Sequence, residues 1–158
     1  MKSWIYALPL GEMVLAEENG AITMVDFGGE LPTGAERGET DLLRRCYHEL
    51  EEYFAGTRRQ FDLPLAPQGT PFQQKVWQAL QTIPYGAVCS YGDIARQIGN
   101  PKASRAVGGA NNRNPIAIMI PCHRVIGANG QLVGYGGGVD KKEALLSLER
   151  RVLEGKSC

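Results

Sequence analysis

The sequence predicts an α+β protein: a small N-terminal antiparallel β-sheet with one helix, then a mainly helical C-terminal domain with a helix-turn-helix and a short β-hairpin. Three observations lead there. Residues 4–27 hold three short runs rich in Val, Ile, Tyr and Phe, divided by Pro-Leu-Gly and Glu-Asn-Gly, and the second divider is a strong tight-turn signal. Residues 63–71, LPLAPQGTP, place three prolines and a glycine in nine positions and read as a linker. Beyond the linker the apolar residues recur at helical spacing.

In order, the three runs read as an antiparallel meander, and residues 28–40 (GGELPTGAERGET) as a flexible loop. Leu42, Leu43, Cys46, Tyr47, Leu50, Tyr53 and Phe54 then fall on one helical stripe that covers a sheet face and stops at Gly56. Cys46 lies on the stripe and reads as a buried structural thiol. His48 lies off it and reads as a solvated surface residue. These elements fill a first domain of residues 1–66, and residues 67–158 form the second.

Thr70 suits an N-cap and Pro71 the first helical turn, followed by an apolar stripe of Phe72, Val76, Trp77 and Leu80 that reads as core. Ser90 caps a short helix over residues 91–98, with Asp93 in the capping-box position, and Gly99 ends it. Asn-Pro-Lys turns the chain into a second helix from about Ala103 to Asn111, and together the two make a helix-turn-helix. Its residues Ala103, Ser104, Ala106, Gly108, Gly109 and Ala110 are small, with Arg105 the one long side chain near the start. Each mid-helix glycine costs about 1 kcal/mol relative to alanine, so something other than local stability selects them. Residues 114–126, NPIAIMIPCHRVI, read as an extended apolar strand broken by Pro121. After a turn at GANG, residues 131–138 return as a strand and a glycine-rich loop, which completes the hairpin. The last helix spans VDKKEALLSLERRVL, with Ala144, Leu145, Leu148 and Val152 inward.

Composition sets outer limits. The 158 residues are 43% hydrophobic and 22% charged, ordinary for a globular protein, and no apolar run approaches the roughly 20 residues of a membrane span. Pro9 and Gly11 break the short apolar patch at the start, which reads as no signal peptide. Cys46, Cys89, Cys122 and Cys158 are widely spaced, so neither a disulfide framework nor a zinc finger is expected, and free thiols fit a reducing cytoplasm. Net charge is zero but divided. Residues 1–69 carry six Lys and Arg against twelve Asp and Glu, a net −6, and residues 70–158 carry eleven against five, a net +6. A basic half is a hint of a polyanion-binding face.

Cys122 and His123 stand between Pro121 and Arg124. A lone cysteine usually behaves as a small buried hydrophobe. Here the adjacent histidine and arginine both favour thiolate, the nucleophilic form.

Five blocks follow one another across residues 69–149: GTPFQQKVWQAL, IPYGAVCSYGDIA, RAVGGANNRNP, IPCHRVIG and GYGGGVDKKEALL. In content and order they resemble those of the methylated-DNA–protein-cysteine methyltransferases, also called O6-alkylguanine-DNA alkyltransferases. The resemblance implies a ribonuclease H-like first domain and a second domain that binds DNA and accepts the alkyl group. It implies irreversible, stoichiometric transfer from O6-alkylguanine, and from O4-alkylthymine, to Cys122, without cofactor. His123 matches the base that takes the thiol proton through a bridging water, and Glu149 the acid that orients it; read without the family, Glu149 would be a surface partner of Arg150 or Lys142. Arg105 matches the arginine finger that fills the stack after base flipping. Ala103, Ser104, Ala106, Gly108 and Gly109 lie on the helix that matches the one entering the minor groove. Tyr91 matches the tyrosine that turns the flipped nucleotide's phosphate and donates toward N3, and Asn114 an asparagine that braces the turn carrying the cysteine. The backbone carbonyls of Cys122 and Val125 match acceptors for the guanine amino group. Tyr135 matches a wall of the alkyl pocket, and Lys142 a stabiliser of the active-site loop.

Gly136 stands where some members place a serine that donates to O6, leaving a backbone N–H and a pocket open to bulkier alkyl groups. Some members carry an N-terminal zinc site, but here the first domain offers only Cys46 and His48, and no metal is expected. The partner implied is double-stranded DNA with alkylated guanine, and no membrane. The protein is expected as a cytoplasmic, nucleoid-associated monomer, with cooperative assembly on DNA left open. The rival reading is a non-catalytic sensor of alkylated DNA. Related alkyltransferase-like proteins have another residue in place of the cysteine, whereas Cys122 is present here. A cysteine hydrolase would also use Cys and His but would turn over many times, and a pure transcription factor would not need Pro-Cys-His-Arg.

Overall fold

Residues near the N-terminus form the expected meander: β1 (Lys2–Leu8), β2 (Gly11–Glu18) and β3 (Ala21–Phe27), with Trp4 opposite Leu15 and Leu15 opposite Val25. The structure is a computed structural model that describes residues 1–130, 132, 135 and 138–155. It divides into two units, residues 1–68 with 115–117, and residues 69–114 with the described part of 118–157.

In the first unit, Asn19 and Gly20 connect β2 to β3 with φ of 53° and 78°. Two consecutive left-handed residues make the mirror-image turn whose twist suits a hairpin, and Asn-Gly is the pair that adopts it most readily. The 28–40 loop is more ordered than expected. Its residues Glu36–Arg37 form β4, parallel to β1, so the sheet order is β3-β2-β1-β4. A two-residue strand has no alternation to read; it is held by the Lys2–Glu36 pair at 2.8 Å and by the Arg37 guanidinium 5.0 Å over the Trp4 ring. At the other edge, Ile22 bonds to the backbone of Pro64 and Ala66, and Val25 to that of Pro115 and Ala117. The proline-rich stretch therefore partly covers an open strand edge, which would otherwise pair with other chains.

Helix α1 (Asp41–Phe54) starts where the Thr40 hydroxyl accepts from the Leu43 N–H at 3.1 Å, and Gly56 follows its end at φ 81°. Leu43, Cys46, Leu50 and Tyr53 are fully buried, each apolar side chain contributing roughly 1.5–3 kcal/mol. Burial pushes the Cys46 thiol far up, so it stays protonated and inert. His48 is exposed and pairs with Glu51. Glu49, unremarked in the sequence, is buried because its carboxylate accepts from the Asp62 N–H at 2.9 Å.

In the second unit, α2 (Pro71–Leu80) opens on the reciprocal Thr70–Gln73 capping box. Val76, Trp77 and Leu80 are core, and the Trp77 indole donates to the Ala110 carbonyl at 2.9 Å. A Cβ on Gly69 would lie 2.4 Å from the Trp77 ring, so this glycine is required by close approach. After β5 (Cys89–Ser90), α3 (Tyr91–Gln97) carries the Ser90–Asp93 capping box and stops before Gly99 at φ 82°. The turn leads to α4 (Ser104–Asn112), packed on α2 and α3.

Residues 114–121 are not the extended strand expected. The chain turns at 117–119, with Ile118 at φ 71°, and Cys122–Arg124 form one turn of 3-10 helix leading into β6 (Val125–Ile126). Ile116 through Ile120 are all buried, and an apolar run records burial equally whether the backbone is extended or folded. β6 pairs in parallel with β5. The return arm of the expected hairpin falls on residues 131, 133, 134, 136 and 137, outside the described residues. Helix α5 (Val139–Leu153) follows Gly138 and buries Lys142, Leu145, Leu146, Leu148 and Glu149, with Ala144 and Val152 half-buried. Among the described residues no helix is long and apolar enough to cross a membrane, and no three His, Cys, Asp or Glu are grouped to hold a metal.

Candidate active site

The site is built on the 3-10 turn. Pro121 precedes it, the Cys122 N–H donates to the Ile120 carbonyl at 2.7 Å, and the Arg124 N–H donates to the Pro121 carbonyl at 3.0 Å. This tight fold places Cys122, His123 and Arg124 side by side and buries all three. Two asparagines brace it. Asn114 donates to the Ile120 carbonyl at 2.8 Å, and Asn111, on the buried face of α4, donates to the Cys122 carbonyl at 3.3 Å.

Glu149 sits on α5, seven residues after Lys142 and so on the same helical face; both are completely buried. Among the described residues, His123, Arg124 and Gly86 donate to the Glu149 carboxylate. His123 Nε2 lies 2.6 Å from Oε2. Arg124 donates from Nε to Oε1 at 2.9 Å and from Nη2 to Oε2 at 3.1 Å. The Gly86 N–H donates to Oε1 at 3.0 Å. Arg124 is itself held by the Ile83 carbonyl at 2.8 Å and by the Tyr85 ring, 5.5 Å beneath its guanidinium carbon.

The electrostatics follow. Burial alone would raise the Glu149 carboxyl, but the hydrogen bonds and charges of His123 and Arg124 outweigh it and bring the value down to about 2. Glu149 is therefore an anion. Burial holds His123 below the ordinary imidazole value; Glu149 opposes this, while Arg124 and Lys142 add to it. A neutral ring beside a carboxylate puts its proton on Nε2, where it donates to Glu149. Nδ1 is left as the lone-pair nitrogen, and it is buried without a hydrogen-bond partner among the described residues. Burial lowers Lys142 while the charge of Cys122 opposes the shift, and burial raises Tyr91 with Cys122 adding to the effect. Both side chains thus sense the sulfur electrostatically.

The structure thus bonds His123 and Arg124 directly to Glu149, sets Cys122 beside His123 on the same buried turn, and leaves Lys142 and Tyr91 under the influence of Cys122. Val125 is buried in β6, directly after the turn. Tyr135 is half-buried, and Gly136 lies outside the described residues. Ala103, at the N-cap of α4, and Ser104 and Gly108 on it are half-buried, and a Cβ on Gly108 would lie 3.9 Å from the Tyr91 ring. Arg105, Ala106, Gly109, Asn112 and Arg113 make the exposed stripe of that helix and its end, away from the buried triad. Two residues whose partners sequence reasoning did not find are Arg124, whose fork grips Glu149, and Asn111. The sequence places Arg124 as a charge that favours the Cys122 thiolate; the structure commits its guanidinium to Glu149, a partner 25 residues away that adjacency could not show.

Sequence-family comparison matches residues 1–67 to the 6-O-methylguanine DNA methyltransferase ribonuclease-like domain, and residues 71–151 to the DNA binding domain of the same family. The methylated-DNA–protein-cysteine methyltransferase of Methanosarcina acetivorans is 53% identical over 150 residues, which is 92% of this chain and 96% of that protein. The one from Mycobacterium tuberculosis is 63% identical over 145 residues, covering 90% of this chain and 88% of that protein. The crystal structure of Mycobacterium tuberculosis OGT in complex with DNA superposes with a TM-score of 0.90 at 46% identity, covering 96% of this chain and 94% of that one. Two family domains in order, relatives aligned nearly end to end and a matching fold agree: the chain belongs to the 6-O-methylguanine DNA methyltransferase family.

Proposed function

We propose that this chain repairs DNA by moving the alkyl group of O6-alkylguanine, and of O4-alkylthymine, onto its own Cys122 sulfur, once per molecule. The observation that carries the reading is the buried Cys122, His123 and Glu149 arrangement, in which the free lone pair of the histidine is on Nδ1. His123 takes the thiol proton through a bridging water, as the family resemblance implies. The thiolate attacks the alkyl carbon in line. The S–C bond forms, the C–O6 bond breaks, and the electron pair leaves with guanine, which gains the proton that sulfur lost. No cofactor takes part in this balance. Tyr91 donates toward N3 and offsets the charge growing on the leaving base. The product thioether is stable, so the protein is consumed.

The target base is stacked in a duplex and must be flipped out. Arg105 fills the gap, and the small residues Ala103, Ser104, Ala106, Gly108 and Gly109 let α4 approach the backbone in the minor groove. Cys122 and Val125 carbonyls accept from the guanine amino group, Asn114 braces the turn, Tyr135 and Gly136 border the alkyl group, and Lys142 steadies the loop. In this reading residues 67–158 hold the whole reaction, residues 1–66 form the ribonuclease H-like domain, and the protein works as a cytoplasmic monomer on double-stranded DNA.

Mass spectrometry after mixing with an oligonucleotide carrying O6-methylguanine tests this. One methyl group should appear on Cys122, and Cys122→Ser should still bind the DNA without transfer. Loss of the lesion with Cys122 unmodified, or no change in either molecule, would overturn the proposal. Retained binding with no transfer by the unaltered protein would favour the sensor reading.

A further inference from the structure

We infer that Arg124 is a positioning residue for alkyl transfer: its guanidinium fork locks both oxygens of Glu149, so that the carboxylate orients His123 with Nδ1 presented to the thiol. The inference rests on the reaction proposed above and adds to it a residue with no assigned part. A carboxylate held by His123 alone could rotate about its terminal torsion and offer either oxygen. Here Arg124 Nε and Nη2 reach Oε1 and Oε2 at 2.9 and 3.1 Å, and the Gly86 N–H fixes Oε1 from a second side. The fork is itself anchored at Ile83 and over Tyr85, so neither partner can swing. One direction remains for Nε2–H, and the ring plane is set with it.

The same contacts divide the charge. The charged groups that act on His123 are Glu149 and Lys142 from α5 and Arg124 from its own turn, while the neighbouring Cys122 acts on Lys142 and on Tyr91 of α3. Glu149 alone would draw a second proton onto the imidazole, and an imidazolium cannot take the proton of the thiol. Arg124 neutralises part of that pull in a buried site, where charges are weakly screened. Lysine would keep the charge but lose the planar, two-pronged grip.

The test pairs two readouts on the full chain. One is single-turnover methyl transfer from an O6-methylguanine duplex between pH 5 and 9; the other is the NMR titration of the His123 ring. Arg124→Gln is expected to move the acidic limb of the rate profile and the His123 titration upward together, by about one pH unit. Arg124→Lys is expected to move both by less and to lower the plateau rate about tenfold. A slower or less stable variant with both midpoints unmoved would overturn the inference and leave Arg124 a packing residue. Should Arg124→Gln not fold, the His123 midpoint of Arg124→Lys decides alone, and an unmoved one overturns it. If the unaltered protein transfers no methyl group, the functional reading fails, while the His123 titration still reports on Arg124.

Discussion

Glu149→Gln keeps the shape of the side chain and removes its charge from a site that buries His123 and Arg124 around it. Its magnitude can be worked in two ways. The Glu149 carboxyl is brought from the ordinary 4.5 to about 2, a difference worth roughly 3 kcal/mol at about 1.4 kcal/mol per pH unit. Independently, removing one partner of a buried ion pair costs about 3–5 kcal/mol because the other charge is left uncompensated. The two figures agree, and about 3 kcal/mol is a large share of a total stability of roughly 5–15 kcal/mol. The folded-state value lies below the unfolded one, so this stabilisation is present above about pH 4.5 and is lost as pH falls toward 2. In urea unfolding the gap between the unaltered protein and Glu149→Gln is expected to be about 3 kcal/mol at pH 7 and roughly 1 kcal/mol at pH 3. At pH 7 the melting temperature should fall by about 6–12 °C for a chain of this size. An equal gap at the two pH values, or one under about 1 kcal/mol at pH 7, would refute the buried-anion account of Glu149.

Arg105→Ala should slow repair of an O6-methylguanine duplex by at least tenfold while leaving reaction with a free O6-alkylguanine base unchanged; equal losses on both would remove the finger role. Gly109 lies on the exposed stripe of α4, and a Cβ there meets nothing within 4 Å. Gly109→Ala should therefore stabilise the fold by up to about 1 kcal/mol in chemical unfolding. Gly109→Leu should fold and yet weaken duplex binding in a fluorescence titration, and unweakened binding would show that α4 does not face DNA. Trp77→Phe should lose about 1–3 kcal/mol, since it removes the 2.9 Å indole bond to the Ala110 carbonyl, which keeps the Arg113 N–H at 3.2 Å, and leaves part of a fully buried ring's space unfilled.

The sequence by itself determined what short-range chemistry determines. The Asn19-Gly20 turn, the Thr70 cap, the Ser90–Asp93 capping box and the stripe of α1 are set by neighbours within four residues and are readable from spacing, while Gln73 as the reciprocal partner of Thr70 comes from the structure. Cys122 and His123 were readable as a chemical pair because they are adjacent, and Glu149 only through the family resemblance. What the tertiary structure decided is what depends on distant partners. Residues 114–121 look like a strand because every side chain is buried, yet the backbone turns at Ile118. The two residues of β4 carry no pattern of their own and exist because β1 offers an edge. Arg124 reads in the sequence as a charge favouring the Cys122 thiolate, until α5 brings Glu149 to its guanidinium, with the Gly86 N–H and the Ile83 carbonyl closing the cage. Local order is encoded in periodicity and capping residues, whereas the charge state of a buried group is set by whichever segments the fold brings around it. That is why the nucleophile was legible in eight letters, and the protonation of its base was not.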